Sequence, residues 1–264
     1  MTHAALPGET YVIVAPPRSA STALARILWH HPAIRFYAHE PYGAVYHQGA
    51  GPDAAEEALD QAADLGVTIG GKPAGARGLV VKEMTFQVGG AFPELAARTT
   101  WPVIFNVRDP RLCVASRMAM RRKQGLPEVF PVNESGWPDL AEQIGWCRDE
   151  GVPYRVVDAT ELRQHPQVIA PLVLEALGLE FNDSVLCWTP VKSETVQAVA
   201  AQDHWYERVL SADRIEAAVE PIPELASFPA QLRDHVEWCC ERYRMFLTDP
   251  HVIRAGFVED EVRG

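Results

Sequence analysis

Two short stretches of the chain carry residues suited to holding anions. In "YVIVAPPRSASTALARILWHH", residues 11–31, an apolar run breaks on two prolines. An arginine and a cluster of hydroxyls follow, then a helical pattern of Leu24, Ile27 and Leu28. A loop that leaves a strand and opens into a helix presents unpaired backbone N–H groups at the positive end of the helix dipole. Pro16 and Pro17 have no N–H, so the donors begin at Arg18 and run through Ser19, Ala20, Ser21 and Thr22. Together these make a full shell for a phosphate or sulfate, without the GxxxxGK[ST] signature of nucleotide triphosphatases. Taken alone, the loop reads equally well as a helix start capped by Ser19 or Ser21, with Arg18 in solvent.

The second stretch, "PVIFNVRDPRLCVASRM", residues 102–118, repeats the plan of strand, charged residue and helix. Asp109 is placed to cap that helix and Pro110 to stand in its first turn. Arg108 sits where the strand ends, and Ser116 lies about two helical turns further on. The competing reading is a structural Arg–Asp pair at a helix start. Two anion-competent strand ends in one sheet point to a ligand with two separated phosphates. A third segment, "YRVVDATELRQHPQVIAPLVLEALGLEF", again runs strand, acidic turn, helix.

Short apolar runs must position these loops. Strands are expected at Tyr11 to Ala15, Ile34 to Ala38, Leu79 to Val81, Val103 to Val107 and Tyr154 to Val157, each apolar enough to be covered on both faces. Helical patterns fall between them, at about 21–30, 53–65, 90–98, 110–123 and 137–150. The alternation predicts an α/β fold, a three-layer sandwich around a central, mainly parallel sheet. "GVTIGGKPAGARG" reads as a loop or weak hairpin. Past residue 181 the chain is expected to be mainly helical, with Gly178 closing the helix before it. The stripe Leu232, Val236, Cys239, Tyr243 and Phe246 reads as core packing. One domain over 1–264 is expected, with its core at 11–181 and a helical elaboration at 182–264.

Composition narrows the function. The chain has 264 residues, 47% of them hydrophobic, and a formal net charge of −11. That balance argues against a nucleic-acid partner, which needs a basic face, so any anion pocket must be built from a few placed arginines. The five cysteines have no metal or disulfide spacing, which suits a reducing compartment. His30, His31, His39 and His47 are too irregularly spaced for a metal site. No apolar run is long enough to span a bilayer, and the first residues have no leader pattern. The expectation is a cytoplasmic protein with no membrane contact.

In this order and spacing, the three segments resemble the sulfotransferase family that uses 3′-phosphoadenosine 5′-phosphosulfate. "PPRSAST" is similar to that family's PRSGST- or PKSGTT-type 5′-phosphosulfate loop. "VRDPRLCVASR" resembles its 3′-phosphate motif, and "VVDATELRQHPQVIAPLVLEALGLEF" the segment that follows, so the match spans residues 11 to 181. The resemblance implies a P-loop-type fold and sulfuryl transfer to a small-molecule acceptor. It places Arg18, Ser19, Ala20, Ser21 and Thr22 around the 5′-phosphate, and Arg108 and Ser116 around the 3′-phosphate. One departure is Ala20, where the family's loop has glycine. A Cβ penalises positive φ, so the loop must turn without it or carry strain.

Sulfuryl transfer to a hydroxyl needs a cation at the leaving oxygen, for which Arg18 is the candidate, and a general base. Glu40, which closes "RFYAHE" and matches a glutamate used by some family members, is preferred. Glu83 in "VVKEM" is second and His39 third, with Lys82 able to pair with either glutamate or lie near the sulfuryl group. Lys192, in "TPVKSE", is a further cofactor contact or a surface lysine. Trp29, Tyr42, Tyr46 and Trp205 are either acceptor-pocket walls or core. Two readings compete with the enzyme: a nucleotide-dependent kinase on the same scaffold, and a sulfotransferase-like binding protein that has lost turnover.

Overall fold

Each expected apolar run forms a strand, and two short edge strands join them. The structure, a computed structural model, describes residues 8–192, 203–217 and 220–255. The strands are β1 (Thr10–Ala15), β2 (Ile34–His39), β3 (Ala63–Asp64), β4 (Gly78–Met84), β5 (Val103–Val107), β6 (Tyr154–Asp158) and β7 (Val252–Ile253). They form one sheet in the order β3-β2-β4-β1-β5-β6-β7, parallel except for the β2–β3 pair. The helices in the first half are α1 (Ser21–His30), α2 (Gly43–Gln48), α3 (Asp53–Asp60), α4 (Leu65–Thr68), α5 (Thr85–Val88) and α6 (Phe92–Ala96). In the second half are α7 (Pro110–Lys123), α8 (Trp137–Asp149), α9 (Ala159–Gln164), α10 (Pro166–Ala176), α11 (Asp203–Ser211) and α12 (Ala230–Leu247).

Strand side chains alternate between the two faces and so divide the core. Ile13, Val80, Ile104 and Val157 pack on α1 and α10 through Leu24, Ile27, Leu28, Ile169 and Val173. On the other face, Val12, Val14, Val81, Phe105 and Val156 pack on α6, α8 and α12 through Leu95, Trp137, Ile144 and Cys239. Helices thus cover both faces, and the three-layer α/β sandwich is the one expected.

Three boundaries differ from the sequence expectation. The pattern at 53–65 breaks after Asp60, because Ala63 and Asp64 pair antiparallel to β2. The helix expected at 90–98 forms only over α6, after a 3₁₀ turn at Gly89–Ala91, and Gly89 with a positive φ of 44° separates it from α5. The strand expected at Leu79 to Val81 extends to Met84, which carries Lys82 and Glu83 into the buried sheet. Gly178 ends α10 as expected, with φ +63°, and a Cβ there would lie 2.0 Å from the Trp101 ring. Among the described residues all five cysteines are free, and no helix is long and apolar enough to cross a membrane.

The order places β1 between β4 and β5, where the connections part toward opposite edges of the sheet. Ligands of such sheets bind at the carboxyl ends of the strands beside that parting. The loops after β1, β2, β4, β5 and β6 all open on this end.

Candidate functional site

A cleft of about 380 Å³ opens at the carboxyl end of β1. Among the described residues, three non-glycine residues have positive φ: Arg18 (64°), Ala20 (63°) and Glu40 (51°). All three line the cleft. A left-handed conformation costs a residue with a Cβ roughly 1–2 kcal/mol, and such strain collects at functional loops. Ala20 therefore keeps the left-handed turn and bears its cost.

The loop after β1 is held from below and open above. Asn106, buried in β5, donates from Nδ2 to Ser19 O at 2.8 Å and to Ser19 Oγ at 3.2 Å. Gly136, at φ +74°, lies against its base, where a Cβ would meet Pro17 Cδ at 2.8 Å and Thr85 Oγ1 at 2.4 Å. The N-cap of α1 is Ala20, with no side-chain cap hydrogen bond. Neither Ser19 nor Ser21 plays the capping role, so the first N–H groups of α1 remain available to an anion, with Ser21 and Thr22 lining the same wall.

The two anion-competent strand ends meet. Arg18 Nε donates to Ser116 Oγ at 3.0 Å, and Arg108 Nη1 donates to Arg18 O at 3.1 Å. Asp109 caps α7 through Arg111 N at 2.9 Å and pairs with Arg111 at 2.7 Å. The Arg–Asp pair at this helix start is thus with Arg111, and Arg108 turns into the cleft. Burial lowers the Arg18 pKa from its usual value. Arg163 of α9 and Glu220 complete this end, with Glu220 accepting from both Arg108 and Arg163. An acidic chain has built its basic pocket from a few arginines.

Across the cleft, Glu40 is the hub of a buried network. Its Oε1 accepts from Lys82 Nζ at 2.5 Å and from Tyr206 OH at 2.7 Å, and lies 3.4 Å from His39 Nε2. Its Oε2 accepts from Gln87 Nε2 at 3.2 Å. Burial would raise the carboxyl, but the charge of Lys82, then that of His39 where low pH protonates it, and the hydrogen bonds outweigh it and hold Glu40 down at about 2. His39 is pushed down to about 4 by burial and is neutral, with Nδ1 at 2.5 Å from Tyr37 OH. Tyr206 is raised well above its usual range by burial and by Glu40, so its phenol stays a donor. It stands on α11, whose last turn is tied to α1 by Arg26. That buried guanidinium donates to Thr189 O at 2.7 Å, to Leu210 O and Ala212 O at 3.3 and 3.1 Å, and to Val209 O.

Other candidates lie elsewhere. Both oxygens of Glu83 accept backbone N–H groups, from Tyr42 at 2.8 Å and Met84 at 2.6 Å, and the residue does not line the cleft. Burial, then the nearby charge of Glu40, pushes it up to about 8. Lys192 is exposed and outside the cleft wall. Trp29 and Tyr42 are core, while Tyr46 packs at 4.8 Å on Phe86, which does line the cleft. The side chain of Trp205 lies outside the described residues. Sequence reasoning passed over Asn106, Gln87, Arg163, Tyr206 and Glu220. Only Asn106 left a signal, as a polar residue inside a fully apolar strand.

The cleft brings together groups able to donate to anions: the α1 N–H groups, Ser21, Thr22 and Arg18, with Ser116, Arg108 and Arg163 beside them. No family model and no curated protein matches the chain. Among solved structures, it resembles the sulfotransferase domain from the Synechococcus PCC 7002 olefin synthase, with a TM-score of 0.55 and 16% identity, over 92% of this chain and 97% of that one. It also resembles the sulfotransferase domain from the curacin biosynthetic pathway, with a TM-score of 0.53 and 17% identity, over 91% and 99%. The chain has the sulfotransferase fold.

Proposed function

We propose that the protein is a sulfotransferase that moves a sulfuryl group from 3′-phosphoadenosine 5′-phosphosulfate to a hydroxyl or amine of a small-molecule acceptor. The observation that carries this reading is the Arg18–Ser116 hydrogen bond of 3.0 Å. It joins the two anion-competent strand ends within one cleft and across from Glu40. The donor, when bound, supplies an activated sulfuryl group on its 5′-phosphate.

The residues divide the work. Arg18, the α1 N–H groups, Ser21 and Thr22 hold the 5′ end and neutralise the negative charge that grows there. Arg108 and Ser116 hold the 3′-phosphate and fix the register. Glu40 orients the acceptor O–H and takes its proton at Oε2, the oxygen whose one hydrogen bond is the longer 3.2 Å contact from Gln87. A carboxylate held at about 2 is a weak base. By analogy with phosphoryl transfer, a loose transition state needs little base strength and mainly needs position. Lys82 and Tyr206 supply that position by occupying Oε1.

Calorimetric titration with adenosine 3′,5′-bisphosphate, against ADP and ATP, tests the reading. Binding that needs the 3′-phosphate and weakens by about tenfold or more in Arg108→Ala is expected, the loss of a charge-assisted contact to phosphate. A preference for ATP with magnesium, or indifference to the 3′-phosphate, would overturn it. Turnover lost in Glu40→Gln with donor affinity retained separates the enzyme from a binding protein of the same fold.

A further inference from the structure

Three residues from distant parts of the chain meet at the β5 end of the cleft. Glu220 Oε2 accepts from Arg108 Nη2, and Glu220 Oε1 accepts from Arg163 Nη1 at 3.3 Å. The arginine side chains are 8% and 13% exposed, the glutamate 39%. All three also line a second cavity of about 170 Å³, so the carboxylate stands as a partition between two spaces. Arg163 is further held by donating from Nε to Glu216 O at 3.1 Å. Among the described residues no second carboxylate pairs with either arginine, and the neighbouring Asp109 is engaged by Arg111.

Charge does not balance here. Two guanidinium groups converge on one carboxylate, which carries a single negative charge. A phosphate monoester near neutral pH carries close to two and offers three acceptor oxygens, so it matches the pair better. The buried guanidiniums are fixed, while the more exposed glutamate side chain is the partner able to leave.

We propose that Arg163 joins Arg108 in a subsite for a terminal phosphate dianion, and that Glu220 fills this subsite as an internal carboxylate that the incoming phosphate displaces. The proposal rests on the two-phosphate donor reading above and adds to it a second cation and an intramolecular competitor. An internal ligand that holds the subsite nine-tenths of the time weakens apparent affinity about tenfold. The penalty falls only on ligands that reach the subsite.

Titrations of wild type, Glu220→Gln and Arg163→Gln with adenosine 3′,5′-bisphosphate and with adenosine 5′-phosphate test it, with unfolding curves to confirm that each variant is folded. In Glu220→Gln the bisphosphate is expected to bind about tenfold tighter while the 5′-phosphate is unchanged. In Arg163→Gln the bisphosphate is expected to weaken, and Arg163→Gln combined with Glu220→Gln should not recover the wild-type gain. A bisphosphate affinity that is unchanged or weaker in Glu220→Gln overturns the proposal and makes the glutamate a structural tie. If wild type and Glu220→Gln both ignore the bisphosphate, inorganic phosphate is the second probe, read by thermal stabilisation. Stabilisation in Glu220→Gln that exceeds wild type and disappears in the double variant upholds the subsite and discards the donor reading. No stabilisation in Glu220→Gln discards the subsite.

Discussion

Lys82 Nζ lies 2.5 Å from Glu40 Oε1, with the two side chains 0% and 9% exposed, so the ends of β4 and β2 are joined by an ion pair almost out of water. Such a pair contributes little net stability when intact, yet losing one partner strands a buried charge. Lys82→Met is therefore expected to destabilise the protein by about 3 kcal/mol, and Lys82→Met with Glu40→Gln by clearly less. Urea unfolding of wild type and the two variants measures this. With Lys82 gone, the Glu40 carboxyl loses the largest influence holding it near 2, so the acid limb of the rate profile should move to higher pH. An acid limb that stays in place would remove Glu40 from the proton transfer.

Glu83 makes stability depend on pH in the opposite sense to an ordinary paired carboxylate. Its folded value of about 8 stands above the usual 4.5, so between these the folded protein binds the extra proton and stability falls as pH rises. His39, usually 6.5 and lowered to about 4, acts the other way but only below pH 6.5. Between pH 6.5 and 8, wild type is expected to lose stability at up to about 1.4 kcal/mol per pH unit, until Lys72, lowered by burial to about 8, begins to act the other way. Glu83→Gln should lack this decline. Equal slopes for the two proteins in urea unfolding would show that Glu83 is ionised in the fold.

Ala20 sits at φ 63° without the freedom of glycine. Ala20→Gly is expected to stabilise the protein by about 1 kcal/mol, because the left-handed penalty exceeds the added freedom of the unfolded chain. Thermal unfolding reads the gain, and bisphosphate affinity should be preserved. Ala20→Val should cost more than Ala20→Gly gains, since a branched Cβ tolerates positive φ least. A destabilised Ala20→Gly would mean that the loop gains more from the rigidity of alanine than it loses in strain.

What was legible in the sequence follows from how local each cause is. Strand β1 and helix α1 were readable because an apolar run, two prolines and a 3.6-residue stripe are all short-range signals. Arg18 and Arg108, which both line the cleft, were readable as candidates because each stands between a strand and the helix that follows it. Glu83 looked as plausible as Glu40, since both lie at the ligand end of a strand. The pleat decides between them, sending Lys82 to Glu40 and Glu83 to the backbone of Tyr42. Tyr206 and Glu220 left no trace, because their roles depend on contacts 166 and 112 residues away in the chain. No local pattern encodes such a contact.

Arg26 shows the same long reach in a structural role. It is fully buried, stacks at 4.5 Å on the Trp188 ring, and satisfies carbonyls at Thr189, Val209, Leu210 and Ala212. Burial lowers it to about 10, which leaves it charged at neutral pH. Arg26→Met removes every donor at once and leaves those carbonyls unmet, so a loss of about 3 kcal/mol or more is expected. Arg26→Lys restores the charge but not the planar fork or the stacking, and should fall between. Because α11 carries Tyr206 to Glu40, Arg26→Met should also release the chain around Val209 to limited proteolysis before global unfolding. A methionine variant as stable and as protease-resistant as wild type would mean that α11 is held by its apolar face alone.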